Sequence, residues 1–457
     1  MSRSFFIALC LALAAASCST VLQPRPPSPP PRLEATATLT ITAGVSVLAS
    51  SPLPQGLAPA AGQPPLWLQN GTEIGVVGTT QGHIVVLGYG GPDWRSERVL
   101  AAETGADAAE EGTIVDLAAS PDGMTLATAV VPHGERRLDI ILRDLIAVGA
   151  GHSIMSFDGA YDSVSMSWLN SQTIALALRA HPEPPPPPAP TNSAPGAPPP
   201  ETPLKPADGL QLIVVSGPGS VAPLKLPCAM SRLSWSRRGV YAIGEGDASA
   251  PPIAIDRRTS TCRKFAAQGP IRVLAWSPRD ESSFVYAEPM QADKSACVFR
   301  YDLETGAGKL IAAGSSAAAF TSSGAIIALG NQQLSQRSVA ERPNAPVLAQ
   351  LAIFDPDEPK VDLKSLGFDT PPAMLVESTI AYATETNRAA IETFAPAAPI
   401  AMRKIIVYSV PGDSAYQIAF GPARGVAVMS WAPKGRWLAI ADGDATHSTL
   451  TVIQPPG

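Results

Sequence analysis

Five histidines, His83, His133, His152, His181 and His447, are scattered along the chain and share no spacing with one another. There is no GxSxG elbow, no HExxH pair and no phosphate-binding glycine loop. Six acids, Glu245, Asp247, Glu288, Glu385, Asp442 and Asp444, fall at the edges of apolar runs. Converging at one mouth, they would make it negative and suit it to cations or to a basic protein segment. The run "DGDATHS", Asp442–Ser448, lacks the glycine and the closing glutamate of a calcium loop, so no metal site is assigned there. No catalytic residue and no cofactor are assigned.

Such residues need a frame, and the frame is written as a repeat. "LAASPDGMTLATAV" and, far downstream, "SWAPKGRWLAIAD" share one figure: an apolar strand, a polar turn with proline and glycine, and a second apolar strand. Variants of it recur at Trp67, Ala119, Trp168, Trp235, Trp276, Phe320, Met374 and Trp431. The intervals are 52, 49, 67, 41, 44, 54 and 57 residues, and the longest contains a proline block. A period near 40–50 residues with several short strands per unit predicts an all-β propeller with four-stranded antiparallel blades. Trp67, Trp168, Trp235, Trp276, Phe320 and Trp431 are read as structural plugs between blades. Eight anchors predict eight blades, or seven if the Met374 unit is a decorated connection. The last unit holds three strands, and "ATATLTITAGVSV", Ala35–Val47, is expected to supply the fourth and close the ring. The loops joining second to third strands carry the elaborations: 181–207, 331–346 and 384–399.

"WSPRD", "SPDG" and "SWAPKGRWLAIAD" resemble the WD40-like repeats of the TolB type, over residues from about 60 to 457. That resemblance implies the propeller fold. It departs from the periplasmic TolB pattern, because a proline run and no α/β domain precedes the repeats, so no partner follows from it.

The N-terminus speaks to location. Arg3 precedes an apolar stretch from Phe5 to Ala16, the length of a secretory signal core and too short to cross a bilayer. "AASC", Ala15–Cys18, resembles a bacterial lipobox, which implies cleavage after residue 17 and acylation of Cys18. Ser19, where some lipoproteins carry Asp, implies outer-membrane sorting. "QPRPPSPPPR", Gln23–Arg32, then reads as a tether within 18–34, reaching roughly 30 Å at ~3.1 Å per residue. The propeller is expected over 35–457.

The whole chain has a formal charge of -6 and no basic run, which argues against nucleic acid. Loss of Arg3 with the signal leaves 32 basic side chains against 39 acidic, or -7. In an oxidising compartment a Cys228–Cys262 disulfide is expected, leaving Cys297 outside the bridge. The expected function is a non-catalytic, monomeric, lipid-anchored platform for an unknown envelope protein. The alternatives are a propeller hydrolase or lactonase with a metal in an acidic funnel, and a sensor of a small ligand or glycan.

Overall fold

The strands pair within eight sheets, arranged as the blades of one propeller. The structure is a computed structural model, and it describes residues 37–38, 41–43, 46–103, 112–146, 151–181, 209–215, 220–224, 232–246, 251–264, 267, 269–288, 296–314, 316–330, 347–357, 361–370, 378–395, 400–418 and 420–456. The expected disulfide partner Cys228, the tether, Cys18, Asp247 and Met374 lie outside them, as does the proline-rich insertion apart from His181. Cys262 is disulfide-bonded.

Each blade is an up-and-down meander. Blade 2 is typical: Gly112–Ala119, Thr125–Pro132, Arg137–Asp144 and His152–Asp158 pair in sequence order, antiparallel throughout. The same order holds from Leu66–Leu68 in blade 1 to Ser448–Gln454 in blade 8. Second strands carry a continuous buried run of at least four residues, complete in Ile326–Gly330 and five residues long in Thr125–Pro132, because both faces of a blade are covered by neighbours. The meander divides the disc into two faces. Turns joining strands one to two and three to four lie on one, the turn face. Loops joining two to three, and the connections between blades, lie on the other.

The recurring turn is built as its sequence suggests. In blade 2 the Asp122 carboxylate accepts the Ser120 hydroxyl at 2.6 Å and the Met124 N–H at 3.0 Å. Gly123 sits at φ +68, and a Cβ there would lie 2.7 Å from the Trp67 carbonyl of blade 1. Gly123→Ala is therefore expected to lower stability by about 1–3 kcal/mol, measured by urea unfolding. No loss would mean that the turn does not seat on its neighbour.

Four of the five anchor tryptophans follow one rule. Trp67, Trp168, Trp276 and Trp431 donate the indole N–H to the inner strand of the preceding blade, at the residue just before that blade's own anchor. Trp168 bonds the Ala118 carbonyl at 3.0 Å, Trp276 the Ser234 hydroxyl at 3.0 Å and Trp431 the Ala381 carbonyl at 3.0 Å. Trp67 bonds the Ser430 carbonyl at 3.2 Å and so joins the first blade to the last. Trp235 Nε1 and Ser167 Oγ, the pair this rule would match, are both buried without a partner. Phe320 plugs the sixth blade without a polar bond and is 6% exposed.

The rule also assigns the seventh anchor. Trp431 reaches Ala381, so Tyr382 holds the anchor position, on the inner strand Thr379–Ala383. The Tyr382 hydroxyl accepts the Ser322 N–H of blade 6 at 3.3 Å, again a contact with the preceding blade. The expected anchor, Met374, lies outside the described residues; the residue that makes the anchor contacts is Tyr382. The seventh unit is a full blade.

Ring closure differs from expectation in its bounds. The fourth strand of blade 8 is Ser46–Pro52, antiparallel to Ser448–Gln454. The residues before it do other work. Ala37–Thr38 runs parallel along the outer strand of blade 6 and Ile41–Ala43 along that of blade 7. The described pieces of that run, Ala37–Thr38 and Ile41–Ala43, thus line the rims of two further blades before Ser46–Pro52 closes the third.

Candidate functional site

Three of the acids singled out in the sequence, Glu245, Asp442 and Asp444, are committed to the scaffold. Glu245 follows the second strand of blade 4 and accepts the Val273 N–H of blade 5 at 2.8 Å. Burial pushes its carboxyl up, while that bond, Arg232 and Arg272 pull it back. Asp444 turns onto its own loop, accepting the Thr446 N–H at 2.8 Å, the Thr446 hydroxyl at 2.6 Å and the His447 N–H at 2.9 Å. The Thr446 hydroxyl and these N–H groups hold its carboxyl down at about 2. Asp442 accepts the Thr449 hydroxyl at 2.8 Å and stands 3.6 Å from Arg403. Glu288 ends the second strand of blade 5, in register with Cys297. Glu385 is a correction: it lies between Thr379–Ala383 and Arg388–Ala395, in a first-to-second turn on the turn face. The four remaining described acids are thus separated from it by the thickness of the disc. Among the described residues no group of three or more His, Cys, Asp or Glu could hold a metal ion.

A central channel cavity of about 790 Å3 opens between the inner strands of blades 7 and 8, reaching Arg272 of blade 5 and Pro64 of blade 1. Its polar feature is an ion-pair cluster. Glu392 and Arg403 are 3% and 2% exposed and meet at 2.9 Å. Arg403 also donates to the Gly425 carbonyl at 3.0 Å, and the Thr379 hydroxyl donates to Glu392 at 2.8 Å. Every partner belongs to blade 7 or to blade 8 and its connection, so the cluster bolts two blades together.

The second cavity, a cleft of about 760 Å3, opens on the turn face where blades 8 and 1 meet. Three turns shape it: Gln69–Thr72 and Gly90–Arg98 of blade 1, and Ala432–Trp437 of blade 8. Seven non-glycine residues among those described hold a positive φ, and three of them line this cleft: Gln69 at +49, Asn70 at +57 and Trp94 at +52. A left-handed backbone is tolerable for asparagine and costly for a bulky side chain. Trp94 is 7% exposed, and its indole N–H is buried with no acceptor. It meets Trp437 edge to face at 5.1 Å and 73°, and Trp67 at 6.3 Å and 90°. Trp67 in turn stacks on Trp437 at 6.4 Å.

The ionisable side chains here are largely engaged. Arg98 forks onto Glu73, with both bonds at 2.6 Å, and donates to the Leu145 carbonyl of blade 2 at 2.7 Å. Gln69 donates to Glu73 at 3.1 Å and to the same carbonyl at 2.6 Å. Glu97 accepts the Tyr89 hydroxyl at 3.1 Å. Lys434 and Arg436 stand exposed at the rim. The cleft therefore offers aromatic walls and a basic lip in place of a nucleophile with its base.

Sequence reading missed this site, although a signal was present. The chain has seven tryptophans. Five occupy anchor positions, and the two left over, Trp94 and Trp437, are the pair that meets here.

No known family model matches the chain, and no curated protein does. Solved propellers resemble it. The Dos1 propeller is 11% identical and covers 90% of this chain and 95% of its own, with a TM-score of 0.48. An oligogalacturonate lyase in complex with manganese is 12% identical and covers 91% and 99%, with a TM-score of 0.45. TolB from Acinetobacter baumannii is 10% identical, with a TM-score of 0.33; it covers 81% of this chain, which spans 61% of that protein. None of the three says what this chain does.

Proposed function

We propose that the chain is an exported binding propeller, held to the outer membrane through acylated Cys18, which receives an envelope protein at the cleft between blades 8 and 1. The observation that supports this reading is the convergence of strain and aromatic surface there. Three left-handed non-glycine residues and both tryptophans outside the anchor set shape one cavity. Backbone strain of this kind, at Gln69 and Trp94, costs about 1–3 kcal/mol per residue and collects at functional sites. Aromatic side chains in a desolvated pocket, with polar groups at the rim, are the usual carriers of binding energy between proteins.

Two measurements test the reading. Cys18→Ser is expected to shift the protein from the membrane to the soluble fraction of envelope preparations; persistence at the membrane would reject lipid anchoring through that residue. A photo-crosslinker at Lys434 is expected to trap a partner in intact envelopes, and one at Glu288, on the opposite face, is not. Adducts at Glu288 alone would place the working surface elsewhere.

A further inference from the structure

We propose that the cleft takes an acid-flanked, proline-rich segment in extended polyproline II form, and that residues 181–206 of a second copy of this chain are such a segment. The proposal rests on the cleft being a binding site, and three features of that site select the ligand.

The first is shape. Trp437, half-buried, rests edge to face on the buried Trp94 at 73° with centroids 5.1 Å apart, and its ring gives the cleft an aromatic wall. Pyrrolidine rings pack flat on such surfaces, and a proline run is already extended before it binds, so little conformational entropy is lost. The second is hydrogen bonding. A proline run presents carbonyls and no N–H groups, so its receptor must supply donors. Gln69 and Arg98 are engaged with Glu73 and Leu145. Asn70, Lys434 and Arg436 line the cleft with no hydrogen bond or ion pair among the described residues, and all three carry donors.

The third feature is charge, and it decides between the two proline runs in the sequence. Glu73 and Arg98 cancel, which leaves Lys434 and Arg436 against Glu97, a net basic lip. "QPRPPSPPPR" carries Arg25 and Arg32 and no acid. The run 181–206 carries Glu183, immediately before five prolines after Pro182, and Glu201 against the single Lys205. Only the second complements the lip.

Topology then names the donor. The insertion joins Thr173–Ala180 to Gly209–Val214, the second and third strands of blade 3, and so leaves the disc on the loop face. The cleft opens on the turn face. A second copy presents its insertion without either chain wrapping round its own rim. Such a contact uses different patches on the two molecules, so it is open-ended. Confinement of both copies to one membrane raises their effective concentration.

The test uses the full-length protein in detergent and a synthetic peptide of residues 181–206, with tryptophan fluorescence and calorimetry as readouts. The peptide is expected to bind and to shift indole emission. A peptide of residues 23–32 should bind about tenfold more weakly or worse. Lys434→Glu with Arg436→Glu, both exposed, should weaken the 181–206 peptide by about tenfold, and Glu183→Lys with Glu201→Lys in the peptide should do the same. Sedimentation should show mass rising with concentration without a dimer plateau. A protein lacking 182–206 should remain monomeric yet still bind the added peptide, which shows that it is folded. No peptide binding, or preference for the 23–32 peptide, would overturn the ligand assignment. If the Lys434 crosslink to an envelope protein survived that failure, the cleft would stand as a site for other chemistry; if both vanished, both readings would fall.

Discussion

Replacing Arg403 with methionine is expected to destabilise the propeller by about 3–5 kcal/mol, because it strands a buried carboxylate. Arg403 and Glu392 lie at 2% and 3% exposure, 2.9 Å apart, at the wall of the central channel. The guanidinium also donates to the Gly425 carbonyl at 3.0 Å and lies 5.8 Å from the centre of the Phe394 ring. Its loss removes the counter-charge and a strut to the connection that enters blade 8. Burial already pushes the Glu392 carboxyl up, and Arg403 is the largest influence pulling it back. Without Arg403 the carboxyl rises further and takes a proton more readily, and a neutral acid tolerates burial. The deficit should accordingly be largest at neutral pH and shrink as the solution is acidified. Glu392→Leu combined with Arg403→Met should recover much of the loss, since a well-packed apolar pair often matches a buried ion pair. Urea unfolding of the two variants across pH checks all three statements. An Arg403→Met protein as stable as wild type at pH 7 would mean that Glu392 is hydrated or otherwise partnered.

What the sequence discloses about this protein depends on whether the signal is local. A blade anchor is one bulky residue beside a polar turn, and its size and neighbours are visible without any knowledge of the fold. Trp67, Trp168, Trp235, Trp276 and Trp431 could be recognised for that reason. Tyr382 carries the same figure in "AYATETN", but the apolar run around Met374 resembles a strand more strongly than the short inner strand does. Glu245, Glu288, Asp442 and Asp444 were legible in position and illegible in role, and Glu385 was misplaced in both. Glu245 is occupied by a backbone N–H from the next blade and Asp442 by an arginine from the preceding one. Those partners are distant in sequence and adjacent only once the ring has formed. The cleft was hidden for the same reason: Trp94 and Trp437 belong to the first and last blades, which meet only on closure. The N-terminal strand bridges the same seam. Ser51 donates to the Trp94 carbonyl at 3.5 Å, and Ala49 and Leu53 pack in the apolar cluster that includes Trp94. Closure of the ring and formation of the cleft are one event, so variants that loosen the N-terminal strand should also reshape the site.

A second large effect is expected from pH, through Asp116 on the inner strand of blade 2. Its carboxylate accepts the Met166 N–H of blade 3 at 2.6 Å and the Leu117 N–H at 2.9 Å. Burial nevertheless dominates and pushes the carboxyl up to about 6 from an ordinary value of 3.8, with the two N–H groups and Arg232 opposing. Between those values the folded chain holds the proton more tightly than the unfolded chain, so stability falls as pH rises through that window. At about 1.36 kcal/mol per pH unit, the interval from 3.8 to about 6 corresponds to about 3 kcal/mol. Asp116→Asn removes the titration. It gives up one of the two N–H bonds, a loss of about 1 kcal/mol that does not vary with pH. The stability of wild type minus that of Asp116→Asn should therefore drop by about 2 kcal/mol between pH 4 and pH 7, the rest of the interval's effect falling below pH 4, read by urea unfolding at both. A constant difference would show that Asp116 is not desolvated and that the seam between blades 2 and 3 is open to water. The sign follows from packing: the Asp116 side chain is turned into the seam with blade 3, so a charge placed there to hold the next blade is a charge the folded ring disfavours.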